Sequence, residues 1–188
     1  MGDVEHRLSA PGHALLLLCL LWLSLSYIFS SFGEASRVLH GFLHLVNLPF
    51  HEVGHLLFSP FGDFMHSLGG SLGQCLMPLL CMFAFLHQSQ GQFGAAVCLW
   101  WFGENLLDIA PYIDDARSLS LPLLGGNVGH ASPYGFHDWE YLLSESGLLR
   151  FDHTLAVLIH VGGSMLMIAA LVRMLFLLRP RGWFPGAD

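Results

Sequence analysis

Between Asp63 and Glu104 the chain carries no Asp, Glu, Lys or Arg. A helix needs about 20 apolar residues to cross the hydrocarbon of a bilayer, so this run holds enough for two crossings and must fold back on itself. The polar stretch at 87–92 is the natural reversal, giving spans near 69–86 and 93–112. Similar reasoning places spans near 14–32, 38–61 and 153–178, with an extramembrane connection over 114–150. Composition agrees: 54% of the 188 residues are hydrophobic, 11% are charged and the mean hydropathy is +0.57, more apolar than a soluble domain can cover with polar surface. The expected fold is therefore all-α, a polytopic membrane protein built as one bundle of about five transmembrane helices.

Charge narrows the partners. The formal net charge is -7, and the seven basic residues are arginines scattered along the chain without a basic patch. Nucleic acid is excluded as a partner on that ground, and the bilayer itself is the expected one. The lead over 1–12 is acidic rather than basic, and 33–36 is a poor cleavage site, so the first span reads as a retained anchor. Arg173, Arg179 and Arg181, with Arg37, place the C-terminus in the cytoplasm by the positive-inside rule. Cys19, Cys75, Cys81 and Cys98 all fall in apolar runs without a C-x-x-C pair and read as small buried hydrophobes.

The second span carries the chemistry. His51-Glu52-Val53-Gly54-His55 puts two imidazoles on one helix face with a glutamate beside the first, which is the H-E-x-x-H pattern of zinc hydrolases. Its flanks Leu48, Phe50, Leu56, Leu57 and Phe58 are apolar, and ionisable groups in such a segment mark a functional site. On an unbroken helix His40, His44 and Asn47 extend the stripe, although Pro49 either kinks that helix or starts a new one. The third span opens with Gly69-Gly70-Ser71 for close helix approach, and Gln74 is placed to hydrogen-bond into the site.

Zinc hydrolases need a third protein ligand and an open position. Candidates are Glu104, Asp108, Asp114 and Asp115 near the end of the fourth span, or His137 in the connection. If the fourth span stays helical past Pro111, then Glu104, Asp108 and Asp115 share a face. Asp138, next to His137, reads as the N-cap of a short amphipathic helix.

The H-E-x-x-H core in a membrane helix, the glycine-rich start of the next span, and Asn105 with Pro111-x-x-Asp114 resemble the site-2 protease family of intramembrane zinc metallopeptidases. The stretches 112–117 and 137–139 also resemble a group of small bacterial membrane proteins with the same core. The family's second motif places its aspartate after Asn-x-x-Pro-x-Pro-x-x; here the spacing is one residue longer and the first proline is missing. Motif matching favours Asp114 and the helical face favours Asp115, which is the residue chosen. The resemblance implies hydrolysis of a membrane-embedded or membrane-proximal peptide in a bacterial inner membrane. It assigns Zn2+ to His51, His55 and Asp115, general-base catalysis to Glu52, and stabilisation of the substrate carbonyl to Asn105. The competing expectation is a non-proteolytic protein whose histidines, including His153 and His160, ligate haem or relay a transition metal. A further alternative is an inactive relative.

Overall fold

A computed structural model describes residues 2–29, 40–88, 91–123, 128–129 and 137–179. Arg37, Arg181 and the side chain of His40 lie outside them. The described residues form an all-α protein of six α-helices: α1 (Gly2–Ile28), α2 (His40–Phe58), α3 (Asp63–Leu86), α4 (Gln92–Asp114), α5 (Asp138–Glu145) and α6 (Asp152–Leu178). Three stretches, Pro11–Ile28, Asp63–Leu86 and Leu149–Leu178, are long and apolar enough to cross a membrane.

The distribution of side chains is that of a multi-pass membrane protein. Large apolar residues face outward, among them Phe42, Leu56, Leu80, Phe83, Leu158, Met165 and Phe176, whereas Asn47, Gln74, Glu104, Asn105 and Asp108 are buried between helices. Lipid makes that arrangement favourable, because apolar surface needs no cover there while polar groups must find partners inside the protein.

Small residues set the helix spacing. Gly54 of α2 lies against Gly69 and Gly73 of α3 so closely that a Cβ at Gly54 would collide with the Gly69 carbonyl oxygen. In the same way Gly103 of α4 meets the backbone of Gly163 on α6, where a Cβ would come within 2.7 Å of the Gly163 carbonyl oxygen. Trp100, Leu107, Met167, Ala170 and Met174 fill the core between α4 and α6, and Leu20 and Tyr27 extend it to α1. A tight corner joins α2 to α3: Pro60 enters a short 3-10 turn over Ser59–Phe61, and Gly62 takes φ +95°, a conformation that favours glycine.

Both prolines that left helix continuity open lie inside helices. α2 runs through Pro49 and α4 runs through Pro111. α4 nevertheless ends at Asp114, and Asp115 is its C-cap, where the chain turns. Arg117 just beyond holds Asp152 at the start of α6 with two contacts, at 2.7 and 2.6 Å, tying the ends of α4 and α6 together.

Candidate metal centre

The two histidines of α2 face α3, because Gly54 between them seats the helices in contact. On His51, Nδ1 donates to the side-chain oxygen of Gln74 on α3 at 2.7 Å. On His55, Nδ1 donates to the backbone carbonyl of His66 at 2.8 Å, and His66 returns a bond from its own Nδ1 to the His55 carbonyl at 3.0 Å. A carbonyl oxygen only accepts, so both rings donate from Nδ1, and Nε2 is the nitrogen each leaves free to serve as a metal ligand. This is how metal-binding imidazoles are held.

Both Nε2 atoms converge on Asp138. Its Oδ2 lies 3.4 Å from Nε2 of His51 and 3.3 Å from Nε2 of His55, and among the described residues these three form the one group of His, Cys, Asp or Glu whose donor atoms gather within 4.8 Å. The separations exceed those of a charge-assisted hydrogen bond, about 2.7–2.9 Å. Zinc bonds of about 2.0–2.1 Å in a tetrahedron would instead put neighbouring ligand atoms about 3.3–3.4 Å apart. Burial alone would push the Asp138 carboxyl up, but the two imidazoles outweigh it and hold it below the ordinary carboxylate range. The group is thus an anion at neutral pH, the form a metal requires.

Space for an ion comes from Gly70. A Cβ there would stand 2.5 Å from Nε2 of His51 and 2.6 Å from Nε2 of His55. Gly70→Ala would therefore be relieved by swinging the two ring tips away, which breaks their bonds to Gln74 and His66. The expected result is a folded protein whose zinc affinity falls by about 10–100-fold, the range seen when ligand orientation is lost. Titration against a chromophoric chelator measures it, and wild-type affinity in the variant would show that Gly70 is not the floor of the site.

Asp138 arrives from outside the long helices. It opens α5, which docks through buried Leu142 and Leu143 and through a 3.2 Å bond from Trp139 Nε1 to Ser71 on α3. The N-cap of α5 is His137, not Asp138: its Nδ1 accepts the Glu140 N–H at 3.1 Å. The capping position expected for Asp138 belongs to its neighbour, and the Asp138 carboxylate is released to the histidines.

The remaining sequence candidates lie elsewhere. The structure brings Asp138, rather than Asp115, to the histidine pair. Asp115 accepts from the Ser118 hydroxyl, from Ser120 N and Oγ at 2.9 Å each and from Leu121 N at 3.0 Å, and its Oδ2 lies 3.4 Å from His137 Nε2. Burial raises the Asp115 carboxyl, but these donors outweigh it and hold it below its usual range. Its backbone is still helical, with its N–H on the Pro111 carbonyl, but the loop that follows claims the carboxylate expected to line up with Glu104 and Asp108.

Asp114 pairs with His153 at 2.6 Å. Asn105, expected to meet substrate, is buried and donates from Nδ2 back to Trp101 O at 2.9 Å. Glu104 and Asp108 share the Asn47 amide, at 3.1 and 3.2 Å, and Asp108 also meets His44 Nδ1 at 3.0 Å. His160 contacts the Ile28 carbonyl at 3.2 Å. Glu52 stays exposed one step along α2 from His51.

Asp138 was missed because only its helix-starting context is local, whereas its approach to His51 depends on how α5 docks. No protein family, curated protein or solved structure matches the chain.

Proposed function

We propose that the chain is an intramembrane zinc metallopeptidase of five spans that hydrolyses membrane-embedded or membrane-proximal peptides. The observation that carries the reading is the convergence of two Nδ1-protonated imidazoles and one carboxylate oxygen at the 3.3 and 3.4 Å spacing of a zinc tetrahedron's edge. In this reading α2, with 19 residues, and α4, with 23, join the three more apolar helices as spans. At about 1.5 Å per residue both have about the length a crossing needs. Asn47 of α2 and Glu104, Asn105 and Asp108 of α4 turn inward, which helps make these the less apolar two.

His51, His55 and Asp138 would hold the ion, with Asp138 replacing the Asp115 expected from sequence. Zinc, when bound, supplies Lewis acidity toward the scissile carbonyl and lowers the pKa of a water. Glu52 is the general base: its carboxylate takes the water's proton and passes it to the leaving amine nitrogen. Because Glu52 is exposed, a peptide strand can reach it without first displacing packed side chains. Asp138 and its helix lie outside the spans, so the centre assembles near the end of the bundle where α2 turns into α3. That position suits a substrate segment unwinding at the membrane surface.

Metal removal tests the proposal. Purified full-length protein should contain about one zinc per chain, as one closed ligand set requires, and show no Soret band. Reconstituted with a panel of fluorogenic transmembrane peptides, it should cleave at least one, stop on treatment with 1,10-phenanthroline and resume on addition of zinc. Iron with a Soret band, or protein without zinc, would overturn the reading and turn attention to the histidines on α2 and α6.

A further inference from the structure

We infer that Gln74 is a positioning residue that sets which ring nitrogen of His51 donates, and that Asp108 sets the orientation of Gln74, as the acceptor on which two runs of donors converge, one from the Trp101 indole through Asn47 and one from His51 through Gln74. The inference rests on the metal-centre reading above and extends it into the buried polar cluster of α2, α3 and α4.

The direction of the bonds starts from a group that has one role only. Trp101 Nε1 can only donate, and it lies 2.9 Å from Asn47 Oδ1. The Asn47 amide is thereby oriented, and its Nδ2 must face the carboxylates of Glu104 at 3.1 Å and Asp108 at 3.2 Å. The same Asp108 Oδ2 takes the Gln74 NH2 at 3.3 Å. Its carbonyl oxygen is left for His51, 2.7 Å from Nδ1. With Nδ1 committed as the donor to Gln74, Nε2 is the His51 nitrogen left to serve as a ligand, facing Asp138. If Gln74 flipped, its NH2 would need a lone pair on Nδ1, the proton would move to Nε2, and that nitrogen would no longer be a ligand.

Burial makes the chain selective. Asn47, Gln74 and Asp108 are buried, so a flipped amide has little water to satisfy it and its wrong-way contacts go uncompensated. The arrangement also accounts for two carboxylates held deep between helices that are not ligands themselves. Asp108, a sequence candidate for the third ligand, acts at one remove.

The test compares variants of the full-length protein in zinc affinity, by competition with a chromophoric chelator, and in the ligand-field spectrum of bound Co2+. Gln74→Leu removes the acceptor and should weaken zinc by about 10–100-fold. Gln74→Glu offers an oxygen whichever way it turns, and should bind within about threefold of wild type. Asp108→Leu frees the Gln74 amide and should weaken binding like Gln74→Leu, and adding Gln74→Glu should restore it along with the wild-type Co2+ spectrum.

A merely structural role predicts no such rescue. Wild-type affinity in Gln74→Leu, or Gln74→Glu as weak as Gln74→Leu, would overturn the inference. So would a double variant that folds, judged by its melting temperature, and binds no better than Asp108→Leu. If Asp108→Leu does not fold, the Gln74 pair decides alone. Wild-type protein that takes up neither zinc nor Co2+ would sink the metal-centre reading, and this inference with it; zinc bound normally by every variant would sink the inference only.

Discussion

Asp138→Ala is expected to purify with almost no zinc, while Asp115→Ala keeps about one ion per chain. The contrast is large because the residues differ in what their oxygens touch. Asp138 has its Oδ2 between the two imidazole Nε2 atoms, so its loss removes one of three protein donors and leaves only the two imidazoles. His51→Ala and His55→Ala should match it. Asp115 spends its oxygens on Ser118, Ser120 and Leu121, so Asp115→Ala leaves donors of that loop unpaired at a cost of about 1–3 kcal/mol each where they are buried. It should lower the melting temperature and spare the metal. Elemental analysis of the four variants decides the matter; zinc lost from Asp115→Ala and retained by Asp138→Ala would reverse the assignment.

Glu52→Gln should retain zinc and lose cleavage by about 10²–10⁴-fold, the usual contribution of a general base. The substitution keeps the size of an exposed side chain, so neither packing nor the ligand set changes, and the effect should fall on turnover. Single-turnover cleavage of the best peptide from the panel, with zinc content measured on the same sample, separates chemistry from metal loss. Cleavage at the wild-type rate would remove Glu52 from the mechanism, and with it the meaning of the H-E-x-x-H pattern here.

Periodicity and solvent are local matters, and they were legible in the residues. An uncharged run from Asp63 to Glu104 can only be two helices, and the structure has α3 and α4 there. The i, i+4 spacing of His51 and His55 puts both rings on one face whatever surrounds them. Glycines at 69 and 70 announced a close helix approach, and the collision a Cβ would make at Gly54 shows that the partner is α2 and how close it lies.

Helix ends and partners across space were not legible in this way. Asp115 still has helical backbone angles and its N–H bonds to the Pro111 carbonyl, but the chain folds back after it, and Ser118, Ser120 and Leu121 take its carboxylate. Asp138 was read as a cap because capping is the local use of an aspartate before a helix; His137 takes that bond instead, and the carboxylate goes to a partner more than eighty positions away in the chain.

Sequence by itself therefore determined the solvent, the helices and the imidazole pair, since each depends on neighbours within a turn or on the average polarity of a segment. Tertiary structure alone decided which carboxylate meets that pair and how Trp101, Asn47, Asp108 and Gln74 orient it, because those choices are made by the docking of α5 on α3 and by bonds between helices, for which no spacing along the chain is diagnostic.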